Sequence, residues 1–293
     1  MNKRITVFTP TFNRAFCLNQ LYTSLVEQTN KNFIWLIVDD GSSDGTKNLI
    51  ENWIAENQIQ IQYFFQENQG MHSAHNTAYK NIKTELNVCI DSDDYMPKDA
   101  IEKIINLWYE KGSQEYAGII GLDAFKDGTI INKIPDYIKI ASLSELEYKN
   151  NIRGDKKIIL RTEVVNEFPP YPIFDSERLV PLGTLYLMID QKYKFLCTNE
   201  VFCIIEYLNE GSSKTIFQQY KKSPMGFMYS RIIELKYSHN IFYAYTRAIH
   251  YISSCFFTRK WNLFKDNPKK FITALAIPSG ILFHVYVLFK LKK

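Results

Sequence analysis

The sequence lacks every pairing that would tie the chain together through sulfur or zinc. Its five cysteines, Cys17, Cys89, Cys197, Cys203 and Cys255, form no CxxC pair and are odd in number. That argues against a disulfide framework and for a reducing compartment. Cys89 sits inside an apolar run and reads as a small core residue. The histidines, His72, His75, His239, His250 and His284, show no HxxxH or HxxE spacing, so zinc is not expected. An excess of one charge is also missing. The net charge is only +4, too mild to argue for nucleic acid. The opening MNKRITVFTP enters a strand pattern at once, so the expectation is a chain without a secretory signal.

What the sequence does have is apolar substance. Hydrophobic residues make up 46% and charged residues 23% of 293, enough for a folded protein with a substantial core. Short apolar or β-branched runs at 5–8, 33–38, 59–65 and 86–90 alternate with stripes at helical spacing. One stripe is Leu18, Leu21, Tyr22 and Leu25; another Leu49, Ile50, Trp53 and Ile54; a third Ile101, Ile104, Ile105 and Trp108. Strands alternating with helices of this length predict βαβ units and a mostly parallel sheet covered on both faces, an α/β fold.

Two acidic turns interrupt this pattern. The first, WLIVDDGSSDGTKNLIE from position 35, nearly fits an EF-hand counted from Asp40, with Gly45 at the sharp turn and Glu51 at the bidentate position. An EF-hand needs a preceding helix, however, and NFIWLIV is too short and too β-branched for one. A plain strand-to-helix turn with Asp44 as N-cap explains Ser43, Asp44 and Gly45. It does not explain Asp39 and Asp40, adjacent carboxylates where open α/β sheets place their ligands. The second turn is LNVCIDSDDYMPKDAI, with a helix expected to start near Pro97. Asp91, Asp93 and Asp94 would repel one another unless a cation or hydrogen-bond donors neutralise them. Hard oxygen ligands of this kind suit Mg²⁺ or Mn²⁺ completed by diphosphate oxygens. The two turns are expected on neighbouring strands.

The motifs TPTFNR (9–14), VDDGSSDGT (38–46), NQGMHSAHN (68–76) and DSDD (91–94) resemble, in order and spacing, family 2 glycosyltransferases of the GT-A fold. RGDKKIILRTEVV (153–165) and FDSERLVP (174–181) resemble the distal half of bacterial enzymes that build capsule, lipopolysaccharide or other surface polysaccharide. The resemblance covers about residues 3–210. It implies a Rossmann-like catalytic domain over 1–210, with a nucleotide-sugar half to about 95 and an acceptor half from about 96. It also implies a nucleotide-sugar donor, a UDP-sugar, and a saccharide or lipid-linked acceptor. Thr9, Pro10, Asn13 and Arg14 would lie beside the nucleotide. One of Asp39 and Asp40 would accept from the uracil imide. Asp91, Ser92 and Asp93 would be the DxD element, with Asp93 on Mn²⁺ or Mg²⁺, Asp91 on the ribose or the metal, and Asp94 toward the donor sugar. Gly70, His75 and Asn76 would cover the donor; relatives often have arginine where this chain has His75.

The resemblance further implies inversion by a single displacement, with a general base opposite the leaving diphosphate. Glu177 takes that position and Asp175 is the reserve. Leu182 stands where relatives often carry another acid. Asp155 and Lys156 would border the acceptor side, a role an ordinary turn explains nearly as well. Two alternatives remain in view: a catalytically inactive nucleotide-sugar-binding subunit of a polysaccharide assembly complex, and a sugar nucleotidyltransferase. The latter would want a glycine-rich loop after the first strand, which TPTFNR is not.

A β-like stretch at 193–208 and a Gly-Ser turn at 211–213 precede a helical region, 211–293, rich in aromatics. PKKFITALAIPSGILFHVYVLFKLKK places about nineteen mostly apolar residues between lysine clusters, interrupted by Pro278-Ser279-Gly280. Lysines at both ends fit an interfacial helix pair on anionic headgroups best, with a true membrane span and a helix packed on the catalytic domain as the alternatives. The expectation is a protein peripheral on the cytoplasmic face of the cell membrane; an oligomer is compatible with the sequence.

Overall fold

The computed structural model describes residues 4–205 and 215–292. Eight strands are seen: β1 (Ile5–Thr11), β2 (Phe33–Asp39), β3 (Ile61–Phe65), β4 (Leu86–Cys89), β5 (Tyr116–Phe125), β6 (Ile140–Ala141), β7 (Lys156–Arg161) and β8 (Lys194–Ile205). The first four helices are α1 (Leu18–Val26), α2 (Thr46–Glu56), α3 (Met71–Asn81) and α4 (Ala100–Lys111). They are followed by α5 (Thr162–Asn166), α6 (Gly183–Ile189), α7 (Ile216–Lys222), α8 (Pro224–Lys236), α9 (Ile241–Thr258) and α10 (Lys270–Lys290).

The strands form one sheet in the order β3-β2-β1-β4-β7-β5-β8-β6. β1 pairs in parallel with β2 and β4, β2 with β3, and β5 with β8, while β7 and β6 run antiparallel to their neighbours. The sheet is therefore mixed and mostly parallel, with helices on its faces, as the alternating pattern predicts. β1 and β2 are buried on both faces, which is why Phe33–Val38 reads as a continuous apolar run. The predicted stripes lie on the core-facing sides of α1, α2 and α4, except that Ile54 at the end of its stripe is exposed. Tyr22 stacks on Trp53 with centroids 4.4 Å apart, and Trp35 lies 5.6 Å from Trp53. Such pairs add about 0.5–1.5 kcal/mol each beyond their buried area.

Three local expectations change. α4 begins at Ala100 after Asp99 rather than near Pro97, whose carbonyl instead accepts from Ala100 N and Gln28 Nε2. The acidic turns end β2 and β4, which are not neighbours, because β1 stands between them. At interstrand spacing this separates the two turns by about 10 Å. Finally, α10 runs unbroken through Pro278. Proline removes one helical donor, but the helix buries Ala276 on one side of it and Gly280 on the other.

The chain divides into two compact units. One holds the residues up to Pro169 and the β8 stretch from Lys192; the other holds Pro170–Gln191 and the C-terminal helices. The boundary read from sequence at 210/211, with its Gly-Ser turn, lies outside the described residues. Segment 170–191, expected in the acceptor half, belongs with the C-terminal helices because α6 packs on α8.

Candidate active site

The sheet reverses its order at β1: β2 and β3 extend to one side of it and β4 to the other. Open α/β sheets bind ligands at the carboxyl ends of strands at such a reversal. TPTFNR ends β1 there and DSDD ends β4. Arg14 and Asp93 bridge the two motifs, with Nη1 3.9 Å from Oδ2. Asn13 adopts a left-handed φ of 53° and fastens the β1 turn to the β2 turn. Its N–H donates to Ser42 Oγ (2.8 Å), and its Oδ1 accepts from Ser43 N (2.8 Å). Thr9 and Pro10 are buried within β1, and Thr9 Oγ1 accepts from Trp35 Nε1 at 3.0 Å. They shape the strand from inside. The exposed member of the motif is Phe12, an aromatic that sequence reasoning passed over.

Asp39 and Asp40 are both internal, at 0% and 4% exposure. Asp39 accepts from Ser42 N and from Tyr63 Oη, each at 2.8 Å. Asp40 accepts from Gln66 Nε2 (2.7 Å), Gln69 N (2.9 Å) and Gly70 N (2.7 Å). The pair thus builds the β2 and 66–70 loops, and the expected imide contact has to compete with protein donors already in place. Gly70 adopts φ +93°, a backbone setting that disfavours any residue with a Cβ, and its amide opens α3 onto Asp40. The negative carboxylate at that helix terminus offsets the amide dipoles. EF-hand geometry is absent here: Asp40 is committed to this loop, and a strand precedes it.

His75 corrects an expectation. It is 1% exposed, packed edge-on to Phe8 with ring centroids 5.0 Å apart, with Nε2 3.7 Å from Cys89 Sγ. Burial, helped by neighbouring His72, pulls its pKa down to about 3, so it is a neutral core residue and not a diphosphate contact. The sequence signal lay in the apolar spacing of Ala74, Ala78 and Tyr79 around it. Asn76, half-buried on α3, remains at the helix surface.

In the DSDD turn the four residues part company. Asp91 and Asp93 are partly exposed, whereas Ser92 and Asp94 are buried. Cys203 Sγ, on β8, donates to Asp94 Oδ2 at 3.7 Å, so Asp94 faces the interior rather than a donor sugar. Cys89 Sγ donates to Asp91 Oδ1 at 3.9 Å. Burial pushes the Asp91 carboxyl up, and Lys157 is the strongest influence holding it down. Lys157 and its partner Asp123, 3.8 Å away, are components that sequence reasoning missed. Two signals for them were legible: an acid inside the apolar run GIIGLDAF, and a lysine sharing a strand face with Ile159.

Among the described residues no three His, Cys, Asp or Glu side chains form a preassembled metal cage. Two open carboxylates, all-oxygen and adjacent, still fit Mg²⁺ or Mn²⁺, which keep most of their shell for water and phosphate.

Asp175 and Glu177 lie in the second unit. Asp175 is exposed, beside Ser176 with its left-handed φ of 64°. Glu177 is buried, and both its oxygens accept from the first turn of α8: Met225 N at 2.9 Å and Gly226 N at 2.8 Å. The residue expected to take a proton instead caps a helix. A Cβ at Gly226 would sit 2.0 Å from Leu179 O, so only glycine lets α8 approach this loop.

A profile of the family described as "Glycosyl transferase family 2" matches residues 6–161, more than half the chain. TuaG of Bacillus subtilis, named for teichuronic acid biosynthesis, is 25% identical over 240 residues, covering 80% of this chain and 90% of its own. The glycosyltransferase GlyA of Streptococcus pneumoniae is 32% identical over 104 residues, and this chain spans only 15% of its length. A Campylobacter jejuni GalNAc(5)-diNAcBac-PP-undecaprenol β-1,3-glucosyltransferase is 28% identical over 167 residues, 56% of this chain and 50% of that one. S. aureus TarS 1–349, solved with UDP-GlcNAc, shares the fold at TM-score 0.62 and 16% identity, covering 95% of this chain and 80% of that one. Pyrobaculum calidifontis mannosyltransferase PcManGT, solved with GDP-Man and Mn²⁺, superposes at TM-score 0.56 and 14% identity, covering 97% of this chain and 87% of that one. The sheet reversal, the ordered motifs and the profile agree: the chain has a GT-A fold and belongs to glycosyl transferase family 2.

Proposed function

We propose that the chain is an inverting, cation-assisted glycosyltransferase. It moves a sugar from a nucleotide-sugar donor, a UDP-sugar, to a saccharide or lipid-linked saccharide acceptor in surface polysaccharide synthesis. One observation carries the reading: of Asp39, Asp40, Asp91, Asp93 and Asp94, it is Asp91 and Asp93 that stay partly exposed, and Arg14 meets Asp93 across the two motifs. A diphosphate is the ligand such a set suits, because Arg14 offers a planar cation and the two acids would hold the Mg²⁺ or Mn²⁺. When bound, that cation would stabilise charge on the departing nucleotide diphosphate. Arg14 adds donors to the same oxygens. Phe12 offers an exposed ring on which a base can stack, and Asn13 holds the turn that presents both. With Glu177 committed to α8, the exposed Asp175 is the carboxylate suited to accept the acceptor's proton. Family membership and this set favour transfer over the nucleotidyltransferase and inactive-subunit alternatives.

The acceptor side of the reading draws on α10. Its 21 residues bury Thr273, Ala276, Gly280 and Val287 and expose Phe271, Leu275, Ile281, Leu282, Val285 and Phe289. A surface helix of a water-soluble domain shows polar residues on that side. An apolar outer face with lysines at both ends fits a helix lying in the headgroup region of an anionic bilayer, on the cytoplasmic face. Tyr245 Oη to Ser279 Oγ (2.8 Å) and Ser253 Oγ to His284 Nδ1 (3.1 Å) tie its inner face to α9. Teichuronic acid and undecaprenol-linked glycans, in the names of two relatives, suggest acceptors of the same kind.

Calorimetric titration of UDP with and without Mn²⁺ tests the donor site. Binding should require the cation and fall at least tenfold in Asp93→Ala. Metal-independent binding unchanged by that substitution defeats the proposal.

A further inference from the structure

The donor site contains a positive charge that no step of the reaction uses. Lys157 lies near the start of β7, the strand between β4 and β5. Its side chain is only 12% exposed and its Nζ lies 3.8 Å from Asp123 Oδ1, itself buried and without a hydrogen-bond donor. Burial works to lower the lysine's pKa, but the nearby carboxylates, Asp123 first and then Asp91 and Asp94, lift it well above the usual value. A 3.8 Å ion pair is too long for a hydrogen bond, so Lys157 is not locked to one acid. Four carboxylates (Asp91, Asp93, Asp94 and Asp123) lie with two cations, Lys157 and Arg14, while the opposite charges of Asp155 and Lys156 near Asp123 cancel. That leaves two uncompensated negative charges, the charge of one divalent ion.

We propose that Lys157 is a positioning residue of the donor site, an internal ammonium that holds the DSDD turn together until the divalent cation and diphosphate arrive. On the reading of Asp91 and Asp93 as the cation's ligands, the lysine and the metal divide the neutralisation between them. Lys157 serves the inner side, Asp94 and Asp123, and the metal serves the open side. Without the ammonium the four acids keep only Arg14 and carry three uncompensated charges, and the turn depends on metal for its integrity. Asp123 alone does not account for the arrangement, because β7 runs antiparallel to β4 with Val88 opposite Ile159, which brings Lys157 alongside the residues that lead into the DSDD turn.

The test is thermal melting of wild type and Lys157→Met at pH 8, with EDTA, with Mn²⁺, and with Mn²⁺ plus UDP. The variant should melt well below wild type in EDTA. Mn²⁺ should close much of that gap, with an apparent Mn²⁺ affinity roughly three- to tenfold tighter than wild type, since a nearby like charge has gone. A gap that Mn²⁺ leaves unchanged makes Lys157 a plain structural ion pair and overturns the proposal. Where Lys157→Met alone does not fold, double variants decide. Rescue by Asp94→Asn supports a role in the acid turn, whereas rescue by Asp123→Asn only, or by neither, overturns it. Wild type unresponsive to Mn²⁺ with UDP refutes the metal reading itself, and the Lys157 role with it. A responsive wild type with an identically responsive variant refutes the Lys157 role alone.

Discussion

Replacing Glu177 by glutamine changes one atom, yet the structure assigns it a large thermal effect. Both Glu177 oxygens accept amide hydrogens from the first turn of α8, at 2.9 and 2.8 Å, in a buried setting. Hydrogen bonds to a charged acceptor contribute about 1.5–3 kcal/mol each, and a negative group at a helix N-terminus up to about 2 kcal/mol more. Glutamine keeps one acceptor but turns an NH₂ toward the other amide, so a loss of about 2–4 kcal/mol is expected. For a unit of this size that lowers the melting temperature by roughly 5–15 °C. Asp175→Asn is the companion variant: exposed, it should melt as wild type while turnover falls about 10²–10⁴-fold. Melting curves paired with UDP-sugar turnover, assayed below both transitions, separate the two residues. A Glu177→Gln protein that melts like wild type but cannot turn over substrate refutes the capping account and returns the base role to Glu177.

Two further outcomes follow from burial and exposure. Leu282→Asp with Val285→Asp, both on the exposed face of α10, should abolish co-sedimentation with anionic vesicles while leaving the melting temperature intact; persisting sedimentation refutes the docking face. His75, with its pKa depressed to about 3, stays neutral in the fold while the unfolded chain takes up a proton below about pH 6.5. Its contribution is therefore fully present above about pH 6.5 and is lost as pH falls toward 3, at no more than about 1.4 kcal/mol per pH unit. His75→Gln should flatten that part of the stability profile; an unchanged slope between pH 6 and 4 shows that the ring is not held neutral.

Much of the fold was legible because it depends on periodicity. A strand buried on both faces has to be apolar throughout, as Phe33–Val38 is, and a helix covering it has to repeat at 3–4 residues, as Leu18–Leu25 does. Motif order then pointed to the candidate site, since strand ends followed by turn residues occur where the sheet opens. The site's composition was legible less far. Asp39, Asp40, Asp91, Asp93, Asp94 and Glu177 are alike in a sequence, but a carboxylate's task depends on which donors reach it. Those donors come from distant positions: Gly70 for Asp40, Cys203 for Asp94, Gly226 for Glu177.

The sequence by itself determined the α/β architecture, the family and the two acidic turns, because local propensity and spacing are properties of the chain as written. Tertiary structure alone decided that β1 stands between those turns, that segment 170–191 packs with the C-terminal helices, and that His75 is buried. It also decided which acids face solvent and which face an amide, a thiol or Lys157. Burial and long-range hydrogen bonding are relations between residues far apart in the chain, and they come into being only when the chain folds.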